Sequence, residues 1–397
     1  MADLLQKFRD LKGIHNHILE LTGRDPLGVP FEKMISPTQA VIDGKECVLL
    51  GSNNYLGLTF HQPAIDAAKT ALDEAGTGTT GSRMANGSYC GHTALERKLA
   101  DFYGMKHGML YTTGYQANVG FISAIAGKDD YVLIDADSHA SIYDGCKLGD
   151  ATVIRFRHNN ADDLARRLKK LPEGGNKLVI VEGIYSMLGD TCPLKEITKV
   201  TKDAGAYLMV DEAHSLGVLG EKGRGLLEKV GVEDQVDFVL GTFSKSVGTI
   251  GGFCVSNHPE VEAMRFAARS YMFTASTPPS IVASASATLD YIRENPQLRT
   301  RLWENTDILY DNLVRLGYKV GPEKNPVIGV QGETLEEGIG IWNALYDNGV
   351  YVNMALPPAI PSGKCLLRCS VSAAHTPEQM QVVVKAFEKA RQVTKAA

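Results

Sequence analysis

Between about residues 60 and 290 the chain alternates short, continuous apolar runs with helical stretches, and this alternation constrains the fold more than any other feature. The runs are Gly108-Met-Leu-Tyr111, Tyr131-Val-Leu-Ile-Asp135, Thr152-Val-Ile-Arg-Phe156, Leu178-Val-Ile-Val-Glu182, Tyr207-Leu-Met-Val-Asp211, Phe238-Val-Leu-Gly241 and Gly252-Phe-Cys-Val255. Strands that are apolar without alternation are covered on both faces. That demands crossover helices and a largely parallel sheet. In such sheets ligands collect at the carboxyl ends of the strands. Asp135, Glu182, Asp211 and Thr242 each fall at or just past such an end, which groups them in one site.

The flanks read differently. Residues 1 to about 25 form a helical arm, with Leu4, Leu5, Phe8, Leu11 and Ile14 at helical spacing. A short β segment follows over Ala40–Leu50, with Asp43-Gly44 as its hairpin turn. Pro278-Pro279 opens a helix to about 293, and another spans 297–316. Strand runs at 318–320, 326–330, 350–352 and 366–370 then alternate with helices near 335–347 and from Thr376. The expected division is an arm with a small β segment (1–58), a large α/β domain (59–290) and a C-terminal α+β domain (291–397).

The balance of 44% hydrophobic and 22% charged residues is that of a globular protein in water. A net charge of −5 with no long basic block argues against a nucleic-acid partner. The cluster Arg166, Arg167, Lys169 and Lys170 shares a helical stretch with Leu164, Leu168 and Leu171 and reads as a solvated face. Seven irregularly spaced cysteines fit a reduced, cytoplasmic protein. Cys365 and Cys369 fall on one face of a strand with nothing to complete a metal set, so they read as core. The N-terminus lacks a signal-peptide core, and no apolar run reaches transmembrane length.

The chemistry concentrates in Gly241-Thr-Phe-Ser-Lys-Ser-Val-Gly248, where Lys245 is a lone lysine among small and hydroxyl residues. One strand upstream lies Val210-Asp-Glu-Ala-His-Ser215. A lysine after a strand is ordinarily a solvated surface charge. A buried amine able to form a Schiff base, beside a strand-end carboxylate, points instead to pyridoxal phosphate chemistry. Asp211, if buried, needs a cation, and a protonated pyridine nitrogen supplies one. Thr113-Gly114-Tyr115 follows a strand and opens a helix, so its N–H groups can hold a phosphate, with hydroxyls from Thr242 and Ser244. Gly76-Thr-Gly-Thr-Thr-Gly81 has the glycines of a dinucleotide turn but follows a helix-like stretch, which excludes that fingerprint.

Longer stretches extend the reading. They are Asp135-Ala-Asp-Ser-His-Ala-Ser-Ile-Tyr-Asp-Gly145, Glu182-Gly-Ile-Tyr-Ser-Met-Leu-Gly-Asp190, Leu366-Leu-Arg-Cys-Ser370, and Ser372-Ala-Ala-His375 before Thr376. With these and Asp211-Glu-Ala-His214, the chain resembles the α-oxoamine synthases among the fold-type I pyridoxal phosphate enzymes, from about Leu5 to the last helix. It is most similar to their serine-using bacterial branch. The resemblance implies an aspartate aminotransferase-like α/β fold with a mostly parallel central sheet, helices on both faces, an N-terminal arm and an α+β C-terminal domain. It implies condensation of an amino acid with an acyl thioester and loss of CO2. On the serine branch these are L-serine and a long-chain acyl group on CoA or acyl carrier protein; sister enzymes use glycine or alanine. A non-catalytic subunit of the same fold would lack Lys245.

By resemblance Lys245 holds the cofactor and removes the Cα proton, Asp211 pairs with the pyridine nitrogen, His139 stacks on the ring, and His214 meets the phenolic oxygen. Gly114, Tyr115, Thr242, Ser244 and Ser186 complete the cofactor site. Thr274 reaches the phosphate from the partner subunit, which implies a homodimer with shared active sites. Arg368 and Asn54 contact the amino acid, and no metal is implied. A long alkyl product favours peripheral contact at the inner membrane surface. Leu356, in Leu356-Pro-Pro-Ala-Ile-Pro361, stands where an arginine is common in this branch, and Asn53 where a tyrosine is common. The carboxylate clamp therefore rests on Arg368.

Overall fold

The structure, a computed structural model, describes residues 3–356 and 364–396. The chain forms two compact units. One runs over Asn53–Ser186 and Asp190–Leu302; the other joins the N-terminal segment through Ser52, the short piece Met187–Gly189 and the segment from Trp303 onward.

The larger unit is built on a seven-stranded sheet. In spatial order its strands are His107–Tyr111, Gly252–Ser256, Phe238–Thr242, Tyr207–Asp211, Lys177–Glu182, Tyr131–Asp135 and Thr152–Phe156. The last five in this order are parallel to one another. Gly252–Ser256 runs antiparallel to both of its neighbours. Its apolar run predicts the strand but not its direction, because burial on both faces leaves the same pattern either way. Phe238–Thr242 and Gly252–Ser256 are buried at every position, whereas the edge strand Thr152–Phe156 buries only Phe156. Val179, Ile180, Val181, Leu208, Met209 and Val210 are essentially inaccessible. Each aliphatic side chain of this kind contributes about 1.5–3 kcal/mol by leaving water.

Register decides which groups meet. Glu182 pairs with Asp211 across adjacent strands, so both carboxylates project to the same side at the same sheet end. Further along that end a part-buried clamp ties the strand end at Asp135 to the loop at Asp190. His158 Nδ1 lies 2.8 Å from Asp135 Oδ1, and its Nε2 lies 2.6 Å from Asp190 Oδ2. Asn159, at a left-handed φ of 51°, donates its backbone N–H to Asp135 at 2.8 Å and its side-chain amide to Asp190 at 2.7 Å. Burial opposes a charge on His158, but the hydrogen bonds and attraction of Asp135 and Asp190 outweigh it and push its pKa up to about 10. The folded value exceeds the ordinary 6.5, so this stabilisation is complete below about pH 6.5 and is lost as pH rises through about 10. Chemical denaturation at pH 7 and pH 10.5 should therefore show a larger alkaline loss of stability in the wild type than in His158→Asn. Equal losses in the two proteins would refute the charged clamp.

The smaller unit holds two four-stranded sheets. In the first, Gln39–Ile42 and Lys45–Leu49 form the expected hairpin, with Asp43 and Gly44 at φ 48° and 70° as a primed turn requires. Val350–Tyr351 adds in parallel, and Lys33–Ser36 is an outer strand that the sequence pattern does not announce, being almost wholly exposed. The second sheet is antiparallel, in the order Lys319–Val320, Val327–Gly332, Cys365–Ser370 and Asn353–Ala355. Cys365 and Cys369 are core residues of its fully buried strand. His375 is locked in neutral form, accepting from Ser372 N–H and donating to Leu49 C=O, both at 3.0 Å. Burial lowers its pKa to about 4.

Candidate active site

The carboxyl ends of the central strands open into a cleft of ≈ 260 Å³ in the larger unit. Its walls include Thr113, Gly114, Tyr115, Asn118, His139, Glu182, Asp211, His214, Thr242, Ser244 and Lys245. A larger hollow of ≈ 430 Å³ lies at the opposite ends of the strands, against Tyr131, Lys177, Tyr207 and Phe238; none of its ionisable groups, which include Asp130, Lys177, His258 and Glu260, is buried, whereas Glu182, Asp211 and His214 in the cleft are. The chemistry therefore belongs to the smaller cleft, where a parallel sheet is expected to place it.

Three elements build the anion-binding side. Thr113 caps the helix Gly114–Ile125, its hydroxyl accepting from Gln116 N–H at 3.0 Å. The N–H groups of Gly114 and Tyr115 precede the first intrahelical acceptor and line the cleft. Gly114 is required by contact: a Cβ there would come within 2.6 Å of Thr242 Cβ. Thr242 Oγ1 lies 2.9 Å from Ser244 Oγ, so two hydroxyls stand beside the helix terminus.

The acidic side is deeper. Asp211, 5% exposed, accepts from Asn118 Nδ2 at 2.7 Å and from Ala213 N–H at 2.9 Å. A cation beside Asp211 is the sequence expectation; two neutral N–H donors hold its carboxylate, and Lys245 shares the cleft. Glu182 accepts from the backbone N–H of His139. Burial and then repulsion from Asp211 raise its pKa well above the ordinary carboxylate value. His139 caps the helix Ala140–Leu148, its Nδ1 turned to Ser141. Burial lowers its pKa, and Lys245 adds to that while Asp211 opposes it. His214 Nδ1 lies 2.7 Å from Tyr55 Oη, and Tyr55 in turn donates to Asn53 at 3.2 Å.

Lys245, Asp211, His139, His214, Gly114, Tyr115, Thr242 and Ser244 thus converge on one cleft. Other expected site residues do not line it within this unit. Ser186 ends the segment that leads to Met187–Gly189. Asn54 is buried and donates to Thr59 Oγ1 at 2.8 Å. Thr274 lies in the loop before the helix Pro279–Glu294 and accepts from Gln116 at 3.4 Å. Arg368 belongs to the strand Cys365–Ser370 of the smaller unit, buried, with Nη1 donating to Ser370 Oγ at 3.0 Å. Leu356 is buried; residues 357–361 of its stretch lie outside the described residues. Asn118, Ser141 and Tyr55 are the functional neighbours that sequence reasoning missed. The one signal for Asn118 was a polar residue on the inward face of an otherwise apolar helix.

The donor set can be tested against pyridoxal phosphate. An amine, a buried carboxylate, an imidazole at a helix start, and a helix N-terminus flanked by hydroxyls match the aldehyde, pyridine nitrogen, ring and phosphate of that group. The residues fit it. Among the described residues there is no cluster able to hold a metal ion.

Similarity to known proteins follows the same line. The chain is 55% identical over 366 residues to the serine palmitoyltransferase of Caulobacter vibrioides, covering 92% of this chain and 91% of that one. It is 50% identical over 390 residues to the serine palmitoyltransferase of Sphingomonas paucimobilis, covering 98% and 93%. A solved structure of a variant of the S. paucimobilis serine palmitoyltransferase with a bound PLP–myriocin aldimine superposes with a TM-score of 0.97 at 49% identity, over 100% of both chains. The aminotransferase class I and II profile matches residues 45–387, a span that takes in the whole cleft. The chain belongs to the aminotransferase class I and II family.

Proposed function

We propose that the protein is a pyridoxal phosphate-dependent acyltransferase that condenses L-serine with a long-chain acyl thioester, as a serine palmitoyltransferase does. The observation that carries this reading is the convergence of Lys245, Asp211, His139 and His214 on one cleft. It is joined by 55% and 50% identity to two serine palmitoyltransferases over nearly the full chain. In the overall reaction serine Cα gives up its proton and bonds to the acyl carbon, the thioester C–S bond breaks and the sulfur leaves as the free thiol, the carboxylate departs as CO2 and Cα takes up a proton. The product is 3-oxosphinganine when the acyl group is palmitoyl.

Pyridoxal phosphate supplies the electron sink that makes negative charge at Cα tolerable. The chain supplies attachment, orientation and proton transfer. Lys245 Nζ would hold the cofactor through its aldehyde and would be the base at Cα. Asp211 would keep the pyridine nitrogen protonated. The helix terminus at Gly114 and Tyr115, with Thr242 and Ser244, would receive the phosphate. His139 would pack on the ring and orient the serine carboxylate. His214, whose Nδ1 is held by Tyr55, would contact the phenolic oxygen.

Arg368 is the second carboxylate ligand in this reading, since a guanidinium fork matches that group. A charge-assisted bond contributes about 1.5–3 kcal/mol. Arg368→Ala should therefore raise KM for serine about 10- to 100-fold, with a smaller change in KM for the thioester. An unchanged serine KM would remove Arg368 from the site.

The working unit is a homodimer in which Thr274 reaches the partner's phosphate site. Supporting this, Phe273 beside Thr274 is 71% exposed and nearby Phe266 is 68% exposed, apolar surface that a second subunit would cover. CoA is the proposed carrier. No helix among the described residues is long and apolar enough to cross a membrane. Peripheral contact is proposed for the N-terminal helix Gln6–Thr22, which exposes Phe8, Leu11 and Ile14 beside Lys7 and Lys12.

Product analysis tests the reaction. With carboxyl-labelled serine and palmitoyl-CoA, one labelled CO2 should appear per CoA released, together with a long-chain amino ketone. Turnover of glycine or alanine in place of serine would overturn the assignment.

A further inference from the structure

One hydrogen-bonded bridge in the cleft has a fixed direction. The side-chain amide of Asn118, 4% exposed, donates both ways: to Asp211 Oδ2 at 2.7 Å and to Ser141 Oγ at 2.9 Å. The flipped amide would set its oxygen against a carboxylate, so the orientation is dictated by Asp211. Ser141, 1% exposed, accepts from Asn118 and has its own O–H left for His139 Nδ1, 2.7 Å away. The backbone N–H of Ser141 also points at Nδ1, at 3.2 Å, and a backbone N–H can only donate. Nδ1 is therefore an acceptor, and the ring proton of neutral His139 resides on Nε2. Protonating Nδ1 would set its N–H against both donors of Ser141. The other ionisable groups lining this cleft are Asp211, Glu182, Tyr115, His214 and Lys245.

We propose that Asn118 and Ser141 are positioning residues: they fix His139 as the Nε2–H tautomer and couple its ring to the Asp211 carboxylate, so that one imidazole N–H is presented to the bound amino acid. The inference rests on the reading that His139 and Asp211 face the cofactor. It adds that these two groups form one hydrogen-bonded unit through Asn118 and Ser141. The lowered pKa of His139 agrees with it, because only the neutral ring satisfies Ser141.

The test uses the cofactor-loaded protein labelled with 15N-histidine, with the His139 ring signals assigned by their loss in His139→Gln. In the wild type, Nδ1 should be unprotonated and Nε2 protonated at pH 7. Ser141→Ala deletes the hydroxyl donor and keeps the backbone N–H; the neutral ring should stay protonated on Nε2, but the charged ring should be favoured about tenfold, moving the His139 midpoint up by about one pH unit. Asn118→Leu removes both amide donors; it should move that midpoint in the same direction and weaken pyridoxal phosphate binding about tenfold, measured by equilibrium dialysis. A His139 midpoint unchanged in Ser141→Ala and Asn118→Leu, or a wild-type ring protonated on Nδ1, would overturn the inference. The underlying reading has its own readout: His139→Gln should alter the visible absorption band of bound cofactor. An unaltered band would sink that reading, and the inference with it, whatever the tautomer.

Discussion

Lys245→Ala is expected to hold no covalently attached cofactor and to lose roughly 10²–10⁴-fold or more in turnover, the range ascribed to a positioned proton-transfer group. Two functions fall together. On the proposed reading the amine anchors the cofactor aldehyde, and the same Nζ is the base at Cα. Removing it separates attachment from the rest of the site, because the phosphate donors at Gly114, Tyr115, Thr242 and Ser244 and the carboxylate of Asp211 are untouched. The variant should still bind pyridoxal phosphate reversibly, and dialysis should strip it. Borohydride should fix label to the wild type and none to the variant. Label fixed to the variant would place the attachment at another amine.

Asp211→Asn is expected to fold and to bind cofactor, yet to be catalytically crippled. The substitution keeps the shape of the side chain and an acceptor for Asn118, but it removes the negative charge. A buried charge that loses its partner costs about 3–5 kcal/mol. Felt in the reaction, that corresponds to about 10²–10⁴-fold. The loss should appear in kcat more than in KM for serine, because the charge matters most when electrons flow into the ring. Asp211→Glu should recover little, since the longer side chain carries the carboxylate away from the Asn118 amide and Ala213 N–H that hold it at 2.7 and 2.9 Å. A kcat within twofold of wild type in Asp211→Asn would show that the pyridine nitrogen needs no counter-charge here.

How much of this was legible beforehand follows from what each residue's signal consists of. The strands of the large sheet were legible because burial on both faces writes a continuous apolar run, as at Lys177–Glu182 and Tyr207–Asp211. The direction of Gly252–Ser256 was not, because pairing direction leaves no mark on composition. Lys33–Ser36 and Asn353–Ala355 are too short to show a period. Lys245 and Asp211 were legible from their positions at or just after strands, whereas the roles of His139 and His214 came only through the family resemblance. Asn118 and Ser141 were not legible, because a hydrogen-bonded bridge joins residues far apart in sequence and depends on atom positions. The His158 clamp was equally hidden: its carboxylates come from a strand end, Asp135, and a distant loop, Asp190. Asp135 had been grouped with the site from its strand-end position, and the structure gives it to that clamp.

The central claim is that the cleft binds pyridoxal phosphate through Lys245 and admits serine as its amino acid. A visible absorption spectrum of the purified, cofactor-loaded protein, titrated in turn with L-serine, glycine and L-alanine, tests it most directly. The account predicts a yellow band that shifts saturably with serine and is unmoved by the other two. A colourless protein that cannot be loaded with the cofactor, or a band that responds to glycine or alanine and ignores serine, would contradict it.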